Sequence, residues 1–489
     1  LYDNIKEESS LPKARIFMAD ININPNIPPA TLYPQPPELN VPTPPPGMVA
    51  TPPPPKRGIP KLILLFGVGV LVILLVAFLI NKFAGGLGKG GSGNIVWWGL
   101  WEDESVVAPL IAEYQQQNPK VKIQYIKQSQ QDYRERLTNA LAKGTGPDIF
   151  RFHNTWVPML ARELDFVPAS VMSASEFAQT FYPVASSDLA SGTGLVGIPL
   201  EYDGLALFIN EDIFAGRTPP ITWDDLRQTA IALTIKDEQG TITQSGVALG
   251  RSENVDHWQE ILALMMLQNG VDLTNPTGQL AEDALRFFSI FSTVDGVWDA
   301  SLPASTLAFA AGKVAMYFGP SWRAFEIRQQ NPNLKFRTVP VPQLPKTNPK
   351  EPDMGYATYW VEGVWARSKN KTEAWKFLKF LSSKESLEKM YQNAAKIRLF
   401  GEPYSRTDMA QLLSDDPIVG SIIAQAPDAQ SWFLASRTFD GATGINSQIG
   451  KYFEDAVNSV NAGSPAAKAL ETVAAGVGQV ISQYGLTGK

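Results

Sequence analysis

The chain reads as an α/β protein, and three observations predict it. Strands alternate with helices of about ten or more residues from Asn94 onward, proline runs and a long apolar stretch are confined to the N-terminal part, and all twelve tryptophans follow residue 93. Alternation of this kind implies a parallel sheet covered on both faces, with ligands seated outside the carboxyl ends of its strands.

The N-terminal part is set apart by composition. Of the 38 prolines in the 489 residues, 16 fall in residues 1–60, including the runs Pro44–Pro46 and Pro52–Pro55. So few apolar residues accompany them that the segment is expected to be disordered or polyproline-like. Leu62 to Ile80 then supplies 19 residues without a charge or strongly polar group, and at about 1.5 Å per residue such a helix nearly spans a bilayer. A single transmembrane helix over 61–83 is the expectation, because the apolar core of a cleaved signal is shorter, about 7–15 residues, and lies close to the N-terminus. Lys56, Arg57 and Lys61 precede the run and only Lys82 and Lys89 follow it, which places the N-terminus in the cytoplasm and the C-terminal domain outside. Residues 84–93 contain six glycines and form a flexible linker.

The remainder, 94–489, carries 34 Lys and Arg against 43 Asp and Glu, a net charge of −9. An acidic domain is a poor partner for nucleic acid. Cysteine is absent, which excludes disulfides, thiolate metal sites, a cysteine nucleophile and a lipidated-cysteine anchor. No cofactor or metal is implied, and the two histidines, His153 and His257, have no cysteine to complete a zinc set.

The elements follow in order. Asn94 to Trp98 is a strand, and Asp103 and Glu104 open a helix carrying Val106, Leu110, Ile111 and Tyr114 at helical spacing. Asn118-Pro119 ends it, Val121 to Ile126 alternates as a strand, Asp132 to Leu141 returns to helix, and Asp148 to Phe152 follows a Gly-Thr-Gly-Pro turn. The loops Gly99 to Asp103 and His153 to Trp156 therefore line one crevice. Thr222 and Asp225 stand at capping-box spacing before a helix. Helical periodicity also marks Trp258 to Gln268, Ala281 to Phe291, Glu373 to Leu381 and Tyr452 to Val460.

The segment PLIAEYQQQNPKVKIQYIKQSQQDYRERLTNALAKGTGPDIF resembles the opening of the maltose-binding-protein-like family of extracellular solute-binding proteins, the substrate-binding components of ABC transporters. The likeness continues, in family order, at GIPLEYDGLALFINEDIF, PPITWDDL, FAAGKVAMYFGPSW and WARSKNKTEAWKFLKFLSSKESLEKM. It implies a two-lobed periplasmic-binding-protein-like fold with a hinge between the lobes and the ligand clamped in the cleft. The crossings would fall near Tyr202 to Gly204, Tyr356 to Gly363 and Arg406 to Leu412, giving one lobe from about 94–202 plus 361–408 and another from about 203–360 plus 409–489. The membrane anchor and the proline-rich stretch depart from the family's usual pattern.

The resemblance also implies a site. Sugars present flat apolar faces edged by hydroxyls, so a sugar cleft needs aromatic platforms and polar side chains around them. The family's positions here hold Trp101 and Glu102 after the first strand, His153, Asn154 and Trp156 after the third, Glu201, Tyr202 and Asp203 at the first crossing, and Trp258, Trp322 and Trp360 elsewhere. Trp223, Trp365 and Trp375 read as packing, His257 as capping or packing its helix, and Arg398 and Arg437 as members of solvated salt bridges in preference to anion ligands. The expected function is delivery of a small solute, a mono- or oligosaccharide, to the permease subunits of an ABC importer by a monomer. Two rivals stand beside it: a glycoside hydrolase and a surface sensor. The hydrolase is disfavoured because Glu102 with Asp103, or Glu201 with Asp203, are near neighbours in sequence, whereas paired catalytic carboxylates flank a bond about 5–9.5 Å apart. The chain is therefore not expected to be an enzyme.

Overall fold

A computed structural model describes residues 93–346, 348 and 350–486. The proline-rich segment, the apolar run at 62–80 and nearly all of the glycine linker lie outside the described residues. Among the described residues, no helix is long and apolar enough to cross a membrane.

Two sheets organise the domain. Their strands are, in chain order, β1 (Asn94–Gly99), β2 (Lys122–Lys127), β3 (Ile149–His153), β4 (Ala206–Asn210), β5 (Ile235–Lys236), β6 (Ile242–Val247), β7 (Val314–Gly319), β8 (Phe336–Val339) and β9 (Trp360–Val364). The first sheet has the order β9-β3-β1-β2, and the second β8-β4-β7-β6-β5.

In the first sheet β1 pairs parallel with β2 and β3, as the strand-helix alternation requires. The connecting helices form where the periodicity places them, over Glu104–Gln117 and Tyr133–Ala142. Asp103 caps the first, accepting from the Ser105 amide, and Val106, Val107, Leu110, Ile111 and Tyr114 form its buried stripe. Every residue of β3 is buried, so its sequence IFRFH shows no alternation.

The expected parallel pairing holds for β1 with β2 and β3 but not for most of the remaining strands. β9 runs antiparallel to β3, and in the second sheet only β6 and β7 pair parallel. The physical reason lies in the connections: β9 returns to the first sheet from a crossing segment rather than through a covering helix, and no crossover fixes its direction. Helix Trp223–Leu233 starts at the capping box, with the Thr222 hydroxyl accepting from the Asp225 amide at 3.1 Å and the Asp225 carboxylate from the Thr222 amide at 3.3 Å. Helix Trp258–Gln268 has the expected bounds, whereas Ile445–Asn461 begins seven residues before Tyr452 because its first turns carry glycine, serine and glutamine, which weaken the apolar signal.

The chain passes between the halves along a short hydrogen-bonded seam. Gly204 and Ala357 bridge antiparallel, with the Leu205 amide donating to the Tyr356 carbonyl at 2.9 Å and the Thr358 amide to the Asp203 carbonyl at 3.0 Å. Gln430 joins the other edge, donating to Gly355 and accepting from Ala357. A third passage lies between Thr407, whose hydroxyl donates to Thr180, and Pro417, whose carbonyl accepts from Thr338 on β8. Gly204 is required at the seam: a Cβ there would stand 2.5 Å from the Tyr356 carbonyl oxygen.

Candidate ligand-binding site

A cavity of about 280 Å³ lies where the two halves meet. Its first wall is built at the carboxyl ends of β1 and β3, where Trp101 and His153 emerge, and from Trp360 at the start of β9. The opposite wall comes from the turn after β7, carrying Trp322, and from Glu260 on helix Trp258–Gln268. Glu201 and Asp203 reach it from the first crossing. The structure thus brings Trp101, His153, Glu201, Asp203, Trp322 and Trp360 together.

The aromatic wall is a continuous cluster. Trp101 meets Trp360 edge to face with ring centres 5.3 Å apart, and Trp360 in turn meets His153 at 5.2 Å and Trp156 at 5.4 Å. The buried indole N–H of Trp101 has no partner among the described residues. Across the cavity, the guanidinium carbons of Arg323 and Arg437 lie 4.5 and 5.9 Å from the centre of the Trp322 ring.

The polar groups divide by what they already hold. Asp203 accepts from the Gly204 amide at 2.8 Å, the Ser321 amide at 3.0 Å and the Ser321 hydroxyl at 2.7 Å, tying the crossing to the turn that carries Trp322. Burial pushes its carboxyl up to about 7 against these donors. Burial also pushes the His153 imidazole down to about 3, so the ring is neutral between the hydroxyls of Thr155 and Thr358. Glu201 is held well above the usual carboxylate range by burial and by the adjacent Glu402. Glu402 pairs with Arg398 at 2.7 Å. One carboxylate oxygen of Glu260 accepts from the Ser436 amide and hydroxyl at 2.7 and 2.8 Å, while the other has no partner among the described residues.

Five of the expected site residues stand away from the cavity wall. Glu102 points beneath Trp101, where the Arg151 guanidinium binds it at 2.6 Å and excludes it from solvent. Asn154 donates to Asp188 at 2.9 Å, and Trp156 is fully buried, stacked on Tyr133. Tyr202 is packed between Tyr182 and Tyr359. Trp258 faces a different cavity, on the far side of the segment from Ser436 to Phe439. Sequence reasoning missed Glu260, Phe325, Glu402 and Phe439, which line the cavity from helices and loops without a motif. His257, read as capping or packing its helix, is the N-cap residue but makes no side-chain cap bond there; its ring is buried, bonds Arg323 and Ser436 and lines the cavity. Arg398 and Arg437 are salt-bridged to Glu402 and Asp256, but the Arg398 pair is largely shielded from solvent rather than solvated, and both arginines line the cavity.

Carboxylate oxygens of Glu102, Glu201 and Glu402 lie within 4.8 Å of one another. Arg151 binds both oxygens of Glu102 and Arg398 binds Glu402, so this trio is neutralised by guanidinium groups rather than open to a metal ion.

Comparison with known proteins gives a consistent assignment. The model of the family described as bacterial extracellular solute-binding protein matches residues 99–388. A binding protein of Brucella abortus (strain 2308) is 26% identical over 275 residues, which are 53% of this chain and 64% of that protein. The match thus spans just under two thirds of that relative's length. The maltotriose-binding protein of Pyrococcus abyssi is 21% identical over 340 residues, covering 67% of this chain and 70% of the relative. Among solved structures, the sugar-binding protein MalE of Xanthomonas citri aligns with a TM-score of 0.64 at 19% identity, over 80% of this chain and 98% of that one. The maltotriose-binding protein of Thermus thermophilus, bound with maltotriose, aligns at 0.58 and 19% identity, over 79% and 100%. At such identities the structural likeness establishes the periplasmic-binding-protein-like fold. The matched family is one of solute binders, not of catalysts. Its model covers more than half of the residues, including every strand of the two sheets after β1 and Trp101, Trp322 and Trp360, and the chain therefore belongs to the bacterial extracellular solute-binding protein family.

Proposed function

We propose that this protein captures an oligosaccharide outside the cytoplasmic membrane and delivers it to an ABC importer. The observation that carries the reading is the cavity between the two halves, with Trp101 and Trp360 on one wall, Trp322 on the other and carboxylates between them. Indole faces take the apolar faces of sugar rings, and carboxylates and guanidinium groups take the hydroxyls. Ligand bridging both walls favours the closed arrangement over the open one, and the permease recognises the closed form. The halves would turn about the seam at Gly204, Ala357 and Gln430, which is narrow and made of backbone hydrogen bonds. The apolar run at 62–80 would hold the domain at the membrane, with the glycine linker letting it reach its transporter. Relatives named for maltotriose binding support an oligosaccharide as the solute.

The test is a titration of the full-length chain in mild detergent with maltotriose, mannotriose and related oligosaccharides, followed by tryptophan fluorescence. Saturable quenching or enhancement by at least one sugar is expected. A flat response across the whole panel, from protein that melts cooperatively, refutes sugar capture.

A further inference from the structure

We infer that the solute is an amine-bearing saccharide, with its ammonium group held among the carboxylates of the cavity. This rests on the sugar-capture reading above and specifies which sugars that site prefers.

The charge balance of the cavity is the starting point. Glu201, Asp203, Glu260, Glu326 and Glu402 line it, against the guanidinium groups of Arg398 and Arg437, and Arg323 behind the lining pairs with Glu326. Arg398 is already engaged by Glu402 at 2.7 Å, and Arg437 stands 3.6 Å from Asp256, itself outside the lining. Neither histidine adds charge, since burial holds both imidazoles neutral at physiological pH. With Glu326 and Glu402 answered by arginines and burial holding the Glu201 and Asp203 carboxyls above their ordinary range, Glu260 is the lining carboxylate left without an arginine partner among the described residues, and neutral hydroxyls alone would leave it so in a largely desolvated space, which is costly.

Two features point to what relieves it. Glu260 is wholly buried, 0% exposed, on the wall opposite Glu201 and Glu402, and one of its oxygens meets no donor among the described residues although the residue lines the cavity. On the other wall, carboxylate oxygens of Glu201 and Glu402 lie within 4.8 Å of each other, and burial and this neighbour hold the Glu201 carboxyl well above its ordinary range, so it carries a proton. An ammonium group supplies the same positive charge as that proton and adds further N–H donors, making stronger charge-assisted hydrogen bonds than a hydroxyl can. The surrounding rings suit the same guest. Trp101, Trp322, Trp360, Phe325 and Phe439 line the cavity, and aromatic faces attract cations as well as sugar rings. Arg437 already places its guanidinium 5.9 Å from the centre of the Trp322 ring, an arrangement that a ligand cation reproduces.

The experiment titrates the full-length chain, by tryptophan fluorescence, with matched pairs of mono- to trisaccharides. Each neutral sugar of gluco, manno or galacto configuration is set against its 2-amino-2-deoxy counterpart, with α- and β-linked forms of the longer ones. In the pair that binds most tightly, the amino sugar is expected to bind at least tenfold more tightly than the hydroxyl sugar, and Glu260→Gln is expected to shrink that ratio at least fivefold. Equal or tighter binding of the neutral member overturns the amine preference while leaving sugar capture intact. An undiminished ratio in a folded Glu260→Gln protein overturns the assignment of the ammonium to this cluster. A flat response to every sugar overturns both this inference and the reading it rests on.

Discussion

Arg151→Met tests how the aromatic wall is held in place. Arg151 lies on β3 and is 1% exposed, with its Nε donating to Glu362 at 2.8 Å and its terminal nitrogens 2.6 Å from Glu102 and 2.7 Å from Glu362. Glu102 is the neighbour of Trp101, and Glu362 is two residues beyond Trp360, so one guanidinium fixes the segments that carry both indoles. Burial works to raise the Glu102 carboxyl, and Arg151 outweighs it, leaving Glu102 below its ordinary value, while burial holds Glu362 above its own. Removing the guanidinium strands two buried carboxylates, a change that costs roughly 3–5 kcal/mol. For a domain of about 390 residues, with about 2.1 cal/mol/K per residue of unfolding entropy, the melting temperature falls by about 4–6 °C. The sign of the pH effect follows. In the variant both carboxyls titrate above their unfolded values, so they favour the fold while protonated and lose that advantage as pH rises through the raised values. In the parent, Glu102 titrates below its unfolded value and loses its contribution as pH falls through it. The gap between the two proteins therefore narrows on acidification. Differential scanning calorimetry at pH 5 and pH 8 reads both effects. A drop of less than about 1 °C at pH 8, or a gap that widens toward pH 5, refutes the reasoning.

Three further expectations follow from the same geometry. Trp101→Ala and Trp322→Ala each weaken sugar binding at least tenfold by calorimetric titration, while Trp156→Ala, removing a fully buried ring, lowers stability by roughly 3–5 kcal/mol in urea unfolding. Gly204→Ala presses a methyl group onto the Tyr356 carbonyl and costs about 1–3 kcal/mol, seen as a lower urea midpoint; an unchanged midpoint would show that the seam tolerates more room than its geometry allows. Asp203 titrates at about 7 in the fold, above its unfolded value, so its ionisation erodes stability as pH rises from about 4 through 7. Asp203→Asn is accordingly expected to lose less stability than the parent between pH 5 and pH 8.

Much of the fold was legible because helices announce themselves by period and strands in the first half by alternation. The helix at 104–117 and the capping box at Thr222 follow directly from residue spacing. The direction of β9 did not, because nothing local distinguishes a strand entering from a crossing from one entering after a helix. At the site, the sequence identified the correct loops but not which side of them faces the cavity. Trp101 and Glu102 are adjacent, yet one lines the cavity and the other is consumed by Arg151. Trp360 faces the cavity while Glu362 plunges into the first sheet to meet Arg151 and Trp97. Glu260 and Phe439 gave no signal at all: one sits on a helix that is buried almost all round, and the other on a loop in the left-handed region at φ 55°, where no motif predicts its direction.

On the proposed function, two halves joined at a narrow seam close around a sugar. Small-angle scattering of the full-length protein, with and without a saturating amount of the tightest-binding sugar, tests it most directly. A smaller radius of gyration in the bound state is predicted, and indistinguishable profiles for the free and saturated protein would contradict it.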